Sequence, residues 1–272
     1  MENPKSINFL DVAKFSNDKN IHYSKVLKSA FDKKILFAEE NIILEKFLNY
    51  ILEKNTDSVS QIFQDIFASF VIRNDFNKNF LEFGATNGID LSNTFVLEKE
   101  FGWEGVLSEP SPQWHESLIK NRPDSKIIKE CIWKSTGLIL DFFMSSAGEL
   151  STLAEFKESD LKSIPGNTNN RLKEGKIIKV QTISINDVIK NYFKGSPPSY
   201  ISVDTEGSEY EILSSFDFNK YKPLVFTVEH NFTDMEIKID KLMKKNGYNR
   251  IFNKITIFDA WYVLESTLKK MQ

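Results

Sequence analysis

Residues 80–88 read FLEFGATNG, an apolar run that carries one acid, Glu82, and then turns through two glycines, Gly84 and Gly88. A strand that runs into a glycine turn and then a helix lets a ligand approach bare backbone and meet the positive end of that helix. The stretch therefore predicts the first βα unit of a nucleotide-binding sheet. Its candidate cofactor contacts are Gly84, Ala85, Asn87 and Gly88, with Ser92 in the helix that follows. By itself the pattern G-x-x-x-G describes a plain βα turn equally well.

The next strand, GVLS at 105–108, runs into Glu109 and Pro110 of LSEPSP. An acid at that place can accept hydrogen bonds from both hydroxyls of a ribose. Glu82 then narrows the ligand, because a carboxylate beside the turn repels a pyrophosphate and attracts an ammonium group. S-adenosylmethionine has a ribose, an α-amino group and no phosphate, so it fits this pair of acids where NAD does not. The plainer alternative is that Glu82 faces solvent or pairs with a lysine.

Outward from this unit, short apolar strands alternate with helical stretches. The strands are KIIKECI (126–132), LILDFFM (138–144), YISVD (200–204), LVFTVE (224–229) and two at the end, YNRIF and IFDAWYVLE. The helices are DLSNTFVLEKEF, PQWHESLIKN, SINDVIKNYF, GSEYEILSSF and TDMEIKIDKLMKKNG, the last with Gly247 as its cap. Such alternation predicts an α/β fold with a parallel sheet covered on both faces. Upstream, apolar spacing from Lys33 to Leu52 predicts an amphipathic helix, and NTDSVS offers caps for a second through QIFQDIFASF. Asp65 and Gln64, just before the first strand, either reach the cofactor or face water. Residues 145–179 are mostly polar and read as either a disordered segment or a binding loop.

Ligands of such sheets bind at the carboxyl ends of the strands. There YISVDTEGSE places Asp204 and Glu206, and LVFTVEHN places Glu229, His230 and Asn231. If the two strands are neighbours, Asp204, Glu229 and His230 converge. Two carboxylates and an imidazole can hold Mg²⁺ or another divalent cation, which would acidify a substrate hydroxyl. Alternatively His230 is a general base, or the group is a polar cluster that caps strands and helices. His22 and His115 have no such setting.

The 272 residues carry a net charge of -3, which argues against a general affinity for nucleic acid. Cys131 is the one cysteine, so an internal disulfide and a thiolate zinc site are excluded. No run approaches the roughly 20 apolar residues of a membrane span and no leader-like segment opens the chain, so a soluble, cytoplasmic protein is expected. A homo-oligomer is left open.

With FLEFGATNGIDLSNT, GWEGVLSEPSP, YISVDTEGSEYEIL and VFTVEHN in view, the chain resembles the FkbM-type methyltransferases. The likeness runs from about Ser58 to Glu265 and includes the SQ-x-x-QD segment at its start and the D-x-W-Y-V ending. It implies a Rossmann-like class I methyltransferase sheet of seven strands, the last antiparallel. Residues 58–272 would form that domain and 1–57 a helical extension. It also implies methyl transfer from S-adenosylmethionine to oxygen, often on sugars or glycosylated products. By position, Glu82, Gly84 and Gly88 fall in the cofactor turn and Glu109 is the ribose acid. Asp204, Glu229 and His230 fall where related metal-dependent O-methyltransferases hold a divalent ion, His230 standing where those relatives often carry an amide or carboxylate. The 145–179 stretch is rich in Ser, Asn, Lys and Gly with Phe156 as its single aromatic, which suits a sugar hydroxyl as acceptor. Two competing readings are a dehydrogenase, which should carry G-x-G-x-x-G, and a non-catalytic binding module, which would have no reason to keep Asp204, Glu229 and His230 together.

Overall fold

The computed structural model describes residues 42–54, 57–72 and 77–271. From its N-terminus the chain forms α1 (Ile42–Lys54), α2 (Gln64–Val71), β1 (Asn79–Phe83), α3 (Phe95–Lys99), β2 (Glu104–Ser108), α4 (His115–Asn121) and β3 (Lys126–Ile128). A middle section follows with β4 (Cys131–Trp133), β5 (Ile139–Ser145), β6 (Thr152–Leu153), α5 (Pro165–Lys173) and β7 (Gly175–Ser184). The rest is α6 (Ile185–Tyr192), β8 (Tyr200–Val203), α7 (Glu209–Ser214), β9 (Val225–Glu229), α8 (Met235–Lys245), β10 (Tyr248–Ile251), β11 (Asp259–Leu264) and α9 (Glu265–Met271).

Seven strands make the main sheet in the order β10-β11-β9-β8-β1-β2-β3. Every neighbouring pair is parallel except those of β11, which runs against both β9 and β10. The chain steps outward from β1 through β2 to β3 and then returns to the other side of β1 as β8. That reversal opens a crevice between the carboxyl ends of β1 and β8.

The strands are apolar on both sides because both sides are covered. Phe80, Tyr200, Val225 and Trp261 face one core, and Leu81, Ile201, Phe226 and Tyr262 face the other. The first core is aromatic. Phe47 of α1 and Phe67 of α2 pack edge-on, and Phe67 stacks on Trp261 with ring centroids 4.4 Å apart. So the described part of the expected N-terminal extension shares the core of the sheet. Residues 1–41, which hold His22 and the start of the helix expected from Lys33, lie outside the described residues. The helix expected over QIFQDIFASF starts only at Gln64, and Phe63 before it turns to φ 70°. Gly247 closes α8 at φ +87°, as a cap should.

The middle of the chain departs from the sequence reading. KIIKECI is two strands: Ile128 is the last residue paired with β2, and Cys131–Trp133 peels away to pair with β7. The break is fixed by two hydrogen bonds, from the Glu109 N–H to the Ile128 carbonyl and from Ser108 Oγ to the Glu130 carbonyl. LILDFFM becomes β5 of a second sheet, ordered β4-β7-β5-β6. The stretch 145–179 is neither structureless nor one open loop. It holds β6, α5 and half of the ten-residue β7.

Candidate active site

Gly84 ends β1 where it meets β8. Its φ is +72°, and a β-carbon there would lie 2.3 Å from the Asp204 carbonyl oxygen. Only glycine lets the two strand ends approach so closely. The Gly84 and Ala85 N–H groups donate to the Ser108 carbonyl, which pins the turn to the end of β2. Asn87 Oδ1 then accepts from the N–H groups of Ile89 and Asp90. Gly88, at φ +81°, fits beneath Leu118 and Arg122, which a β-carbon would meet at 2.7 and 2.6 Å.

Glu82 does not face solvent. Its Oε1 accepts from the Asn93 N–H at 2.6 Å, and its Oε2 accepts from the hydroxyls of Ser92 and Thr94. The fully buried Arg122 lies 4.0 Å away and also donates to the Gly88 carbonyl and Ser92 Oγ. Burial raises the Glu82 carboxyl above its usual range, and the Arg122 charge opposes that rise. The acid beside the turn thus closes the loop back onto β1 as well as lining the crevice. Ser92 is part of this brace, and neither it nor Ala85, Asn87 or Gly88 lines the cavity.

The crevice is a cavity of about 390 Å³ bounded by the ends of β1, β2, β8 and β9 and by the middle section. Seven acids line it (Glu82, Asp90, Glu109, Glu149, Asp204, Glu206 and Glu229), and among the described residues no lysine, arginine or histidine does. Glu109 is gripped by the two backbone turns that flank it: Thr86 N–H donates to Oε2 and Ser111 N–H to Oε1. Burial nevertheless pushes its pKa up to about 7, and the charge of Asp204 adds to the push. Pro110 lines the cavity next to it.

At the far side Asp204, Glu206 and Glu229 place one oxygen each within 4.8 Å of the others. Burial, then repulsion from Glu209, raises Asp204 to about 7, and contact with Glu229 opposes this. Glu229 is pushed well above the carboxylate range by burial and by Asp204. Such a group can hold a cation, share a proton or accept one from a hydroxyl.

His230 and Asp65, also expected at the site, are not in this company. His230 does not line the cavity: its Nδ1 accepts from the Phe232 N–H, and its Nε2 lies 3.3 Å from Arg250 and 3.7 Å from Glu236. Burial lowers its pKa, with the Arg250 charge acting in the same sense and Glu236 against it. Glu206 takes the place expected for His230 in the acid cluster. Asp65 is also set back, its carboxylate taken up by the hydroxyls of Ser58 and Ser60 and by the Ile66 N–H. Gln64 next to it donates to Asp259, and Gln61 is the residue of this segment that lines the cavity. Asn231, placed at the strand end by the sequence but given no role there, donates to both Glu229 and Glu206, and the middle-section residues Leu150, Ser151 and Asn167, which the sequence does not single out, line the cavity.

An anionic crevice without basic side chains suits a cofactor that brings its own positive charges, and the sulfonium and ammonium of S-adenosylmethionine do so. At the switch point of this seven-stranded sheet it marks a class I, S-adenosylmethionine-dependent methyltransferase. More particularly, the chain belongs to the FkbM methyltransferase family: residues 82–250 match the family model described as Methyltransferase FkbM domain. Comparison with curated proteins gives no match. Similar solved structures include the precorrin-6y C5,15-methyltransferase of Geobacter metallireducens GS-15, with 9% identity, a TM-score of 0.38, and 68% of this chain and 71% of that one covered. The ribosomal protein L11 methylase of Lactobacillus delbrueckii subsp. bulgaricus shows 8% identity and a TM-score of 0.37, over 76% of this chain and 78% of that one. No described helix is long and apolar enough to cross a membrane.

Proposed function

We propose that the protein transfers a methyl group to a hydroxyl of a sugar, glycan or glycosylated metabolite. The observation that carries this reading is the three-acid cluster of Asp204, Glu206 and Glu229, which shares one cavity with the glycine turn. S-adenosylmethionine supplies the electrophilic methyl group, so the protein's task is to align a hydroxyl, take its proton and exclude water. Glu109 accepts from the ribose hydroxyls, and the turn at Gly84 to Thr86 offers backbone to the rest of the cofactor. A carboxylate with a pKa near 7 is matched to proton abstraction at neutral pH, and Asp204 has that value.

The same three acids are the proposed ligands of a divalent cation, in place of the set that included His230. Hard oxygen donors suit Mg²⁺ or a similar ion, which would anchor the acceptor and acidify its hydroxyl. The acceptor side supports a polyol. Glu149, Ser151 and Asn167 of the middle section line the cavity, while its one aromatic, Phe156, packs instead on Trp133.

The test is methyl transfer from labelled cofactor to a panel of glycosides, with and without EDTA. The reading predicts label on a sugar oxygen, loss of turnover on chelation and recovery with added Mg²⁺. Full activity in excess EDTA would reject the cation and leave Asp204 as the base. Label found only on nitrogen or carbon of non-sugar acceptors would reject the function.

A further inference from the structure

Arg171 is completely buried on α5, far along the chain from the strand ends it serves. A guanidinium has five N–H donors, and here each finds an acceptor. Nε donates to the Leu150 carbonyl at 2.7 Å. Nη1 donates to the Lys157 carbonyl and to Asp160 Oδ1, and Nη2 to Asp160 Oδ2 and to Glu206 Oε2 at 2.7 Å. Its own carbonyl accepts from Ser145 Oγ. One residue, through its side chain and its carbonyl, thus ties Ser145, Leu150, Lys157 and Asp160 to the acid cluster.

The partner it grips is held in an unfavourable backbone conformation. Glu206 sits at φ +59°, a left-handed value that a residue with a β-carbon rarely adopts. The same segment secures that turn, since Thr152 and Ser159 hydroxyls donate to the Glu206 carbonyl. Packing alone does not call for an arginine here, because burying a charge is costly and an apolar side chain would fill the space. Nor does Asp160 need Glu206, as Asp160 alone balances the arginine. Among the described ion pairs, Arg171 is the one basic side chain brought to the cluster. Burial and the neighbouring Asp204 push the Glu206 carboxyl upward, and the Arg171 charge pulls it back.

We propose that Arg171 is a positioning residue for methyl transfer: its ion pair fixes the Glu206 carboxyl at the cavity wall, within reach of Asp204 and Glu229. The segment 145–171 is then the device that couples the roof of the acceptor site to its floor. The inference rests on the role proposed above for the cluster, but its main test needs neither an acceptor nor a cation.

That test is a double-mutant cycle on thermal stability at pH 8, using Arg171→Met and Glu206→Gln. In the parent protein Glu206→Gln should lower the melting temperature, because it weakens the ion pair with Arg171. In the Arg171→Met background the same change should lower it much less or not at all, because the pair is already gone, a difference of ~2–4 °C for each kcal/mol of coupling. A Glu206→Gln effect of the same sign and size in both backgrounds would overturn the proposal, leaving Arg171 as packing. Should Arg171→Met fail to fold, Arg171→Lys with and without Glu206→Gln gives the milder cycle, in which a smaller coupling of the same sign is required. In the active enzyme, Arg171→Lys should retain more turnover than Arg171→Met. In Arg171→Met kcat should fall, with cofactor affinity within about twofold of the parent. An unchanged kcat would count against the proposal, whereas an enzyme inert toward sugars would defeat the acceptor reading and leave the stability cycle standing.

Discussion

An alanine methyl at position 84 would lie 2.3 Å from the Asp204 carbonyl oxygen, on a backbone already turned to φ +72°. The left-handed conformation alone costs about 1–2 kcal/mol for a residue with a β-carbon, and the clash forces β1 and β8 apart. Gly84→Ala should therefore lower the melting temperature and weaken cofactor binding together. A variant with parental stability and affinity would show that the strand ends are not so tightly joined. At this scale the sequence was legible where chain direction alone placed a residue. Gly84, Glu109, Asp204 and Glu229 all stand at strand ends and all line the cavity. It was less legible where the direction of a side chain mattered. His230 follows Glu229 but lies away from the cavity, beside Glu236 of α8 and Arg250 of β10. Glu82 was read as a partner for the ligand's ammonium group, but the hydroxyls and N–H that occupy it come from Ser92, Asn93 and Thr94, contacts that only the folded turn creates.

Among the elements, strands of the main sheet announce themselves because both of their faces are buried and their residues are continuously apolar. β1, β8 and β9 were read nearly to the residue for that reason. β7 is different. Gly175 to Lys179 are mostly exposed, with Lys176 and Lys179 on either side of Ile177 and Ile178, so half of the strand looks like a polar loop. KIIKECI offered no visible break, since the departure at Lys129 and Glu130 is imposed by hydrogen bonds from the end of β2. The serines at 58 and 60 looked like helix caps but bond to the buried Asp65 of α2 instead. The second sheet had no signal of its own because its pairing is between segments that the sequence separates by the very stretch it roofs. That same stretch brings Arg171 to Glu206.

For the molecule as a whole, a net charge of -3 conceals a concentration of acid in one crevice. Asp65 is raised to about 6 and Glu109, Asp204 and Asp259 to about 7, each chiefly by burial. A carboxyl whose folded pKa lies above its unfolded value of about 4 contributes stability that is full below pH ~4 and is lost as pH rises through ~7. The depressed Asp160 and Glu98 act in the opposite sense, losing their contribution as pH falls below the usual carboxylate range. The ligand-free protein should therefore melt at lower temperature at pH 8 than at pH 5.5, and Glu109→Gln should flatten that fall. Calorimetric scans at constant ionic strength would show it, and a melting temperature that climbs across this window would contradict the assignment of the acids. The central claim, that this acid-lined crevice binds S-adenosylmethionine through Glu109, is tested most directly by titration calorimetry with S-adenosylhomocysteine on the parent protein and on Glu109→Ala, with NAD as the control. The account predicts one saturable site for the nucleoside, no heat from NAD, and a loss of about 1.5–3 kcal/mol in the folded variant as charge-assisted hydrogen bonds to the ribose disappear. Unchanged affinity in Glu109→Ala, or tighter binding of NAD than of S-adenosylhomocysteine, would contradict it.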